Sequence, residues 1–263
     1  SEVGMNKNHL ISSFSIFLFL VIWHLMSVNY FNPILIPPPI KVGLKIFEMS
    51  EDGELFYHVW ASLYRVIVGY FWGCVLGIIV GVAIGLSKLL NDYLDPPMQF
   101  VRNITPVAIV PLAIHAFGLE EASKYIVIIY GTIIPVILNT ATGITSVPKI
   151  RIQAAQCLGA TRLEIIKNVV LPSSWPYILT GLRLALGFSF MGVVAAEMIA
   201  ADTGVGFLIM QSRNMLLPEQ MFTGLFMLGL IGMATDKTFQ FLINKVMRRY
   251  MILIMAESGF KKT

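Results

Sequence analysis

Charged side chains and cysteines are both scarce in this sequence. Asp, Glu, Lys and Arg make up 13% of the 263 residues and hydrophobic residues 56%, whereas a typical soluble domain is about 25% charged. The two cysteines are Cys74, inside an apolar run, and Cys157, inside a polar stretch. Their positions make a disulfide implausible and give no metal-ligand spacing, and we expect both side chains to be buried. The composition indicates a membrane protein that does not depend on cysteine chemistry.

Catalytic and phosphate-binding motifs are also absent from the sequence. There is no Gly-x-x-x-x-Gly-Lys-Ser/Thr loop, no His/Glu zinc-binding pair and no Gly-x-Ser-x-Gly turn. A membrane enzyme would need His, Asp and Glu side chains clustered at one depth, and no such cluster is visible. The basic residues lie between apolar runs without interleaved aromatics, which argues against a nucleic-acid partner. We therefore expect a chain that is not an enzyme and that binds no cofactor of its own.

Six apolar runs have the length needed to cross a bilayer, and they predict an all-α integral membrane protein. The predicted spans are Leu10–Val28, Ala61–Leu86, Gln99–Leu119, Lys124–Ile144, Tyr177–Ala201 and Phe222–Val246. No small-residue cleavage site follows the first run, so we interpret it as an anchor and not as a signal peptide. Residues 10–246 then form one six-helix domain, with a short segment at 1–9 and a basic tail at 247–263.

Lys and Arg residues outside these spans are concentrated on the side of both termini and of residues 146–176. Positive side chains accumulate on the cytoplasmic side of membrane proteins. We therefore expect both termini and residues 146–176 to lie in the cytoplasm.

Two of the predicted spans carry further patterns. Glycines at 69, 73, 77, 81 and 85 form a four-residue ladder in the second span, and such a stripe lets two helices approach closely in lipid. The third span contains Pro106 and Pro111 and is predicted to be a kinked helix. That helix either lines a pathway or is kinked for structural reasons alone. The residues from Lys88 to Pro97 are predicted to form a turn outside the membrane.

The polar residues 146–176 are patterned as two short helices. Gly159 is a residue typical of a helix end, and Thr161 with Glu164 matches the capping box that begins a helix. Pro172 is expected to end this second helix, and a new helix is expected to begin directly after it. Basic side chains accompany the pattern, so we expect another protein to dock here. The basic residues are Lys149, Arg151, Arg162 and Lys167.

This segment resembles the EAA loop of ABC-importer permeases. The family pattern is Glu-Ala-Ala, three residues, Gly, nine residues, Ile, one residue and Leu-Pro. The matching residues here are Gln153-Ala154-Ala155, Gly159, Val169 and Leu171-Pro172. The two departures, Gln153 and Val169, keep the size of the family's residues, but Gln153 cannot make a charged contact to a partner arginine. Four further segments resemble the sulfonate, taurine and nitrate branch: Thr105–Leu112, Thr180–Arg183, Ala195–Met198 and Thr203–Phe207.

The resemblance implies a fold, a function and a set of partners. The fold is the six-helix permease of type I ABC importers, working as a homodimer in the inner membrane of a bacterial cell. The function is uptake of a small anion such as a sulfonate, taurine or nitrate. Two cytoplasmic ATPase subunits, which bind ATP and Mg, would grip the loop, and an extracytoplasmic solute-binding protein would deliver the substrate. The residues implied in ATPase coupling are Gln153, Ala154, Ala155, Gly159, Ala160, Thr161, Arg162, Leu171 and Pro172.

Ionisable residues and prolines at membrane depth are candidates for the translocation pathway. They are Arg65, Pro106, Pro111, His115, Arg183 and Glu197. The alternative for the arginines, Arg102 included, is that they snorkel to the interface. Lys237 is expected to neutralise Asp236 or to reach the cytoplasmic interface. Two other functions stay open: import of a pyrimidine precursor or another small metabolite by the same machinery, and an ATP-independent channel or secondary transporter.

Overall fold

The structure is a computed structural model that describes residues 2–30 and 35–257, with side chains for residues 14, 15, 17–30 and 35–245. All regular elements in this part of the chain are helical, which confirms the all-α prediction. The last six residues of the predicted basic tail, 258–263, lie outside the described residues. The helices are α1 (Glu2–Asn29), α2 (Pro39–Glu51), α3 (Glu54–Leu86), α4 (Lys88–Val101), α5 (Pro106–Phe117), α6 (Glu121–Thr145), α7 (Lys149–Cys157), α8 (Arg162–Ile165), a π-helical turn (Ile166–Val170), α9 (Leu171–Ala200), α10 (Val205–Asn214) and α11 (Pro218–Glu257).

The glycine ladder of α3 is the packing face against α6. A Cβ atom placed on Gly69 would lie 2.5 Å from Ile128, and one on Gly85 would lie 2.8 Å from Ile144. The ladder positions between them meet α6 at the same four-residue interval. Since both rows advance together, α3 and α6 run parallel. The predicted role of the ladder as a packing face is confirmed.

Helix α9 packs against α6 in the opposite direction. Gly143 near the end of α6 faces Tyr177 near the start of α9, whereas Gly192 near the end of α9 faces the backbone of Val127. We call the end of the bundle where α6 leads into α7 the loop end, and the opposite end the far end.

The chain between α3 and α6 forms two separate helices, which corrects the predicted single kinked helix. Since α3 and α6 are parallel, this segment has to return the chain to the far end. Helices α4 and α5 meet at 93°. The break precedes Pro106 because a residue before proline avoids the helical region, and Thr105 is extended with ψ 148°. The predicted turn from Lys88 to Pro97 is also wrong, because those residues lie within α4.

Among the described residues, three helical segments are long and apolar enough to cross a membrane: Glu54–Leu86, Glu121–Thr145 and Arg162–Ala200. They become four if the bent pair of α4 and α5 counts as one span. Helix α1 contributes only the shorter apolar stretch Phe17–Asn29. The full count of six spans therefore stays a prediction.

The helix that begins after Thr161 does not end at Pro172, contrary to the sequence prediction. It continues from Arg162 to Ala200 through a π-helical turn. In that turn the Leu171 N–H donates to the Ile166 carbonyl, five residues earlier. A proline ring clashes with the carbonyl four residues before it in a regular α-helix. The wider π-helical turn directly before Pro172 changes that spacing, and the helix passes the proline without ending.

Candidate functional site

The segment after α6 forms a surface at the loop end, and the ends of its two helices are capped by local hydrogen bonds. The backbone N–H of Thr161 donates to Glu164 Oε2 (2.8 Å) and the backbone N–H of Glu164 donates to Thr161 Oγ1 (3.4 Å). The predicted capping box is therefore confirmed. Glu164 lies beyond the apolar part of its helix, and the hydrogen bonds from the Thr161 backbone and hydroxyl lower the pKa of its carboxyl group.

Helix α7 ends in a Schellman motif centred on Gly159. The Gly159 N–H donates to the Gln156 carbonyl (2.9 Å), and the Ala160 N–H donates to the Ala155 carbonyl (3.1 Å). Gly159 has φ +81°, a left-handed conformation that glycine adopts without the steric cost of a side chain. Ala155 and Ala160 also pack against the same buried cluster, as the motif's hydrophobic contact requires.

A buried apolar cluster anchors this surface to the spanning helices. Its buried members come from the end of α6, the following turn, α8 and the π-helical turn: Ile144, Val147, Ile165 and Val170. Val82 and Leu86 of α3 pack against it. The surface is therefore attached to three long helices at once.

Several coupling residues named from the sequence are accessible at the loop end. Gln153, Ala154, Gly159, Thr161 and Arg162 are exposed, whereas Ala155, Ala160, Leu171 and Pro172 are half-buried. Three large apolar side chains are exposed beside them, Ile150 (71%), Leu158 (88%) and Leu163 (78%). Apolar side chains exposed in a polar segment are typical of a protein contact site. Cys157 is also exposed, so the expectation that it is buried was wrong, while Cys74 is buried as expected.

A group of charges lies at the far end, with Arg65 and Glu197 buried and Glu121 half-exposed. Arg65 donates through Nη1 to Glu197 Oε1 (2.9 Å), and its Nε and Nη2 donate to the two oxygens of Glu121 (2.8 and 2.7 Å). Arg65 is 5% exposed and Glu197 1% exposed. Arg65 is therefore buried and held by the buried Glu197 and the half-exposed Glu121. It does not snorkel, which corrects that alternative.

Side chains at the same place cap the N-terminus of α10. Three successive N–H groups donate to side chains: Gly204 to His58 Nδ1 (3.1 Å), Val205 to Ser62 Oγ (2.8 Å) and Gly206 to Glu197 Oε2 (3.0 Å). The cluster thereby joins α3, α6, α9 and α10. Sequence reasoning missed the partners of Arg65 and Glu197, which are Ser62, Glu121 and Thr203. It also missed His58, which accepts the hydrogen bond from the Gly204 N–H. The Gly-Val-Gly run after Thr203 was the one signal for a close backbone approach.

A second ion pair joins α9 to α11 midway along both helices. Arg183 donates through Nε to Asp236 Oδ1 (3.0 Å) and through Nη2 to Asp236 Oδ2 (3.2 Å), and Gln240 donates to the same carboxylate (2.6 Å). The expectation that Lys237 neutralises Asp236 was therefore wrong. Both partners are exposed on this chain, with side-chain exposures of 50% and 39%.

The remaining pathway candidates lie on α5. Pro106 is buried at the first turn, against Gly131 of α6, and Pro111 and His115 are exposed further along. The structure thus brings Arg65 and Glu197 together but leaves Arg183 and the α5 residues apart from them. Whether these residues line a pathway stays a prediction.

Two cavities flank the exposed side of α9. One of about 270 Å³ lies at the break between α4 and α5 and reaches Phe188. The other, of about 500 Å³, is lined by apolar side chains of α5, α9, α10 and α11, three of them methionines. Among the described residues no group of His, Cys, Asp and Glu is arranged to hold a metal ion.

Comparison with known families agrees with this architecture. Residues 73–252 match the family described as binding-protein-dependent transport system inner membrane component. The chain belongs to this family.

Similar sequences place the permease in one branch of the family. It is 34% identical to the putative aliphatic sulfonates transport permease protein SsuC of Bacillus subtilis over 87% of this chain and 83% of that protein. It is 36% identical to the taurine transport system permease protein TauC of Escherichia coli, over 81% and 80%. It is 35% identical to the nitrate import permease protein NrtB of Leptolyngbya laminosa, over 75% and 71%. The permease is therefore an ABC-transporter permease of the sulfonate, taurine and nitrate branch, and a multi-pass inner-membrane protein.

Solved structures agree on the fold. A chain of the MetNI methionine ABC transporter in an inward-facing conformation superposes with a TM-score of 0.62 at 20% identity, covering 76% of the permease and 98% of that chain. A second crystal form gives a TM-score of 0.59 at 21% identity. The predicted type I importer permease fold is confirmed.

Proposed function

We propose that the permease is the membrane subunit of an ATP-driven importer for a small anion, a sulfonate, taurine, nitrate or a related solute. The proposal rests chiefly on the loop-end surface, where the capped helices α7 and α8 expose apolar and basic side chains. The transport functions named for similar permeases supply the substrate class. In this proposal the chain supplies no catalysis, and ATP and Mg bind to partner subunits.

The loop-end surface would receive the ATPase subunits. The Schellman motif at Gly159 and the capping box at Thr161 leave few freely rotating bonds between α7 and α8, so a displacement of the surface moves both helices together. The buried cluster around Ile144 and Val170 then passes that displacement to α3, α6 and α9. A second copy of the permease would present the same surface to a second ATPase subunit.

The pathway would follow the exposed side of α9 and α5. A charged side chain that faces lipid is costly, yet Arg183 and Asp236 are exposed midway along their helices. We infer that this side faces water or the second permease copy. Pro106, Pro111 and His115 would belong to it through α5. Arg65 and Glu197 would instead hold the far end together, where the solute-binding protein delivers the substrate.

The test is ATPase activity of the co-expressed complex, with and without its solute-binding protein, across sulfonates, taurine, nitrate and a pyrimidine precursor. We expect one loaded binding protein to stimulate hydrolysis and anion uptake into vesicles. Stimulation by the pyrimidine precursor alone would overturn the anion assignment. Uptake that proceeds without ATP would overturn the importer assignment in favour of a channel or secondary transporter.

An Ala155→Arg variant tests the coupling surface within the same complex. The large charged side chain cannot fit where Ala155 packs against the buried cluster, so we expect normal membrane insertion and at least a tenfold loss of stimulated ATPase activity. Gln156→Arg is the matched control, because Gln156 is exposed on the same helix. Normal transport by the Ala155→Arg variant would exclude this surface from coupling.

A further inference from the structure

The cavity at the break between α4 and α5 belongs neither to the coupling surface nor to the charged group at the far end. It holds about 270 Å³, somewhat below the roughly 300–1,000 Å³ of pockets for drug-sized ligands. Its polar wall is formed by Arg102, Thr105, Tyr130 and Asn139, and its apolar wall includes Pro135 and Phe188. A cavity of this size suits a small solute with a polar head.

The cavity is partly open on this chain, because Arg102, Thr105 and Phe188 of its wall are exposed, while its floor includes the buried Gly131 of α6. Tyr130 and Asn139 stand on either side of the middle of α6, which runs from Glu121 to Thr145. Irregular backbone at membrane depth occurs where it is buried in protein or lines a water-filled space. The break between α4 and α5 therefore fits a polar compartment along a transport route.

Tyr130 fixes the wall of this compartment. Its hydroxyl lies 2.9 Å from the Val101 carbonyl and 3.1 Å from the Ile104 carbonyl, and it donates to either. These carbonyls belong to the break, where the regular helical pattern stops. Asn139 uses one amide N–H on the Pro135 carbonyl (2.9 Å), which leaves its second N–H for another acceptor.

Arg102 differs from the other arginines that sequence reasoning placed in the membrane. Arg65 and Arg183 each have a carboxylate partner within 3.0 Å. Within the described part of the chain, no carboxylate lies within ion-pair distance of Arg102. The Thr105 side chain next to it makes no capping hydrogen bond to α5. Arg102 is exposed on this chain, so its guanidinium is accessible to a solute, and a bound anion would supply the missing charged partner.

We propose that this cavity is a transit site for one small oxyanion, with Arg102 as its charged group. The planar guanidinium matches two oxygens of a nitrate or sulfonate group. Thr105 and Asn139 add a hydroxyl and an amide donor, and Tyr130 is a positioning residue. This inference rests on the proposed function, because it names where the imported anion pauses inside the permease.

A thiol-labelling experiment tests the site on the purified permease without any transport. Thr105→Cys is introduced together with Cys157→Ser, which removes the exposed native cysteine. We expect a negatively charged methanethiosulfonate to react with this cysteine about tenfold faster than a positively charged one, and nitrate to slow the reaction. Gluconate at equal ionic strength is the control for screening. Arg102→Gln in the same background is expected to abolish both the charge preference and the nitrate protection.

Transport by the complex gives the second readout. We expect Arg102→Gln to lower anion uptake at saturating binding protein at least tenfold while stimulated ATPase activity persists, and Arg102→Lys to restore part of the uptake. Lys88→Gln, at the other end of α4, is the matched control and should transport normally. Unchanged anion uptake by the Arg102→Gln variant would overturn the assignment of this site. A labelling rate that depends neither on the charge of the reagent nor on nitrate would also overturn it. If no anion stimulates the ATPase activity of the wild-type complex, the proposed function is overturned instead. The labelling result on the purified permease does not depend on that outcome.

Discussion

Glu197 shows how much a single side chain can hold in place. Its carboxylate accepts hydrogen bonds from Ser62, Arg65 and the Gly206 N–H, and it is 1% exposed. A buried charge is tolerated when its hydrogen bonds are complete. Residues of α3, α9 and α10 therefore depend on one carboxylate.

Glu197→Gln should accordingly be strongly destabilising. Removing one partner of a buried ion pair costs about 3–5 kcal/mol, and we expect the lower end because Arg65 keeps Glu121. The measurement is the apparent unfolding temperature in detergent. Glu48→Gln breaks the exposed pair with Lys45 and should change stability by less than about 1 kcal/mol. Equal effects of the two variants would contradict a structural role for Glu197.

Gly159 can be tested by two substitutions, one that keeps the Schellman motif and one that breaks it: asparagine keeps the backbone N–H that donates to the Gln156 carbonyl, and proline removes it. Its φ of +81° is forbidden to proline, which fixes φ near −65°, but is tolerated by asparagine. No atom lies within 4 Å of a Cβ added there, so side-chain size is not the obstacle. We expect Gly159→Pro to insert normally and to lose ATPase stimulation, and Gly159→Asn to retain most of it. Loss in both variants would assign glycine a direct contact with the partner.

At the scale of helices, the α3–α6 pairing is set by the absence of side chains. A Cβ on Gly77 would lie 2.8 Å from the Val136 Cβ and 3.1 Å from the Ile133 carbonyl. Gly77→Ala therefore forces the two helices apart, and we expect a clear drop in the apparent unfolding temperature. Gly187→Ala, where nothing lies within 4 Å, is the control and should be neutral or slightly stabilising, because alanine favours helices. A neutral Gly77→Ala would show that the helices repack at little cost.

Elements fixed by local sequence were predictable, and those fixed by distant contacts were not. The capping box at Thr161 and the ladder in α3 depend on residues three or four apart, so their patterns are visible in the sequence. The break before Pro106 could not be distinguished from a kink at Pro111, because the packing partners of α5 decide between them. Nor does any local pattern show that Arg65 meets a glutamate 132 residues later.

The whole molecule exposes two different kinds of face along its long helices. On α3, the exposed positions include large apolar side chains such as Ile67 and Trp72, as expected against lipid. On α9, the exposed side also carries apolar side chains such as Leu184 and Phe188, but Arg183 and Gly187 lie among them. The first face would be covered by lipid, and the second would face the pathway or the second copy.

Cysteine accessibility distinguishes these faces. In a Cys157→Ser background, we expect a membrane-impermeant thiol reagent to label Gly187→Cys in the assembled complex and to leave Ile67→Cys unlabelled. Labelling should also change when ATP is added, because the proposed cycle opens and closes the route. If Ile67→Cys reacts faster than Gly187→Cys, the two faces have been assigned the wrong way round.

The helix from Arg162 to Ala200 is continuous through its π-helical turn and runs from the loop end to the far end of the molecule. Its 39 residues span about 58 Å at 1.5 Å per residue. A tilt of only about 5° about one end would carry the other end through roughly 5 Å. Glu197 lies at that other end, 2.9 Å from Arg65. In the proposed cycle, a slight rotation at the loop end would therefore displace the other end of this helix, where Glu197 accepts a hydrogen bond from Arg65 of α3.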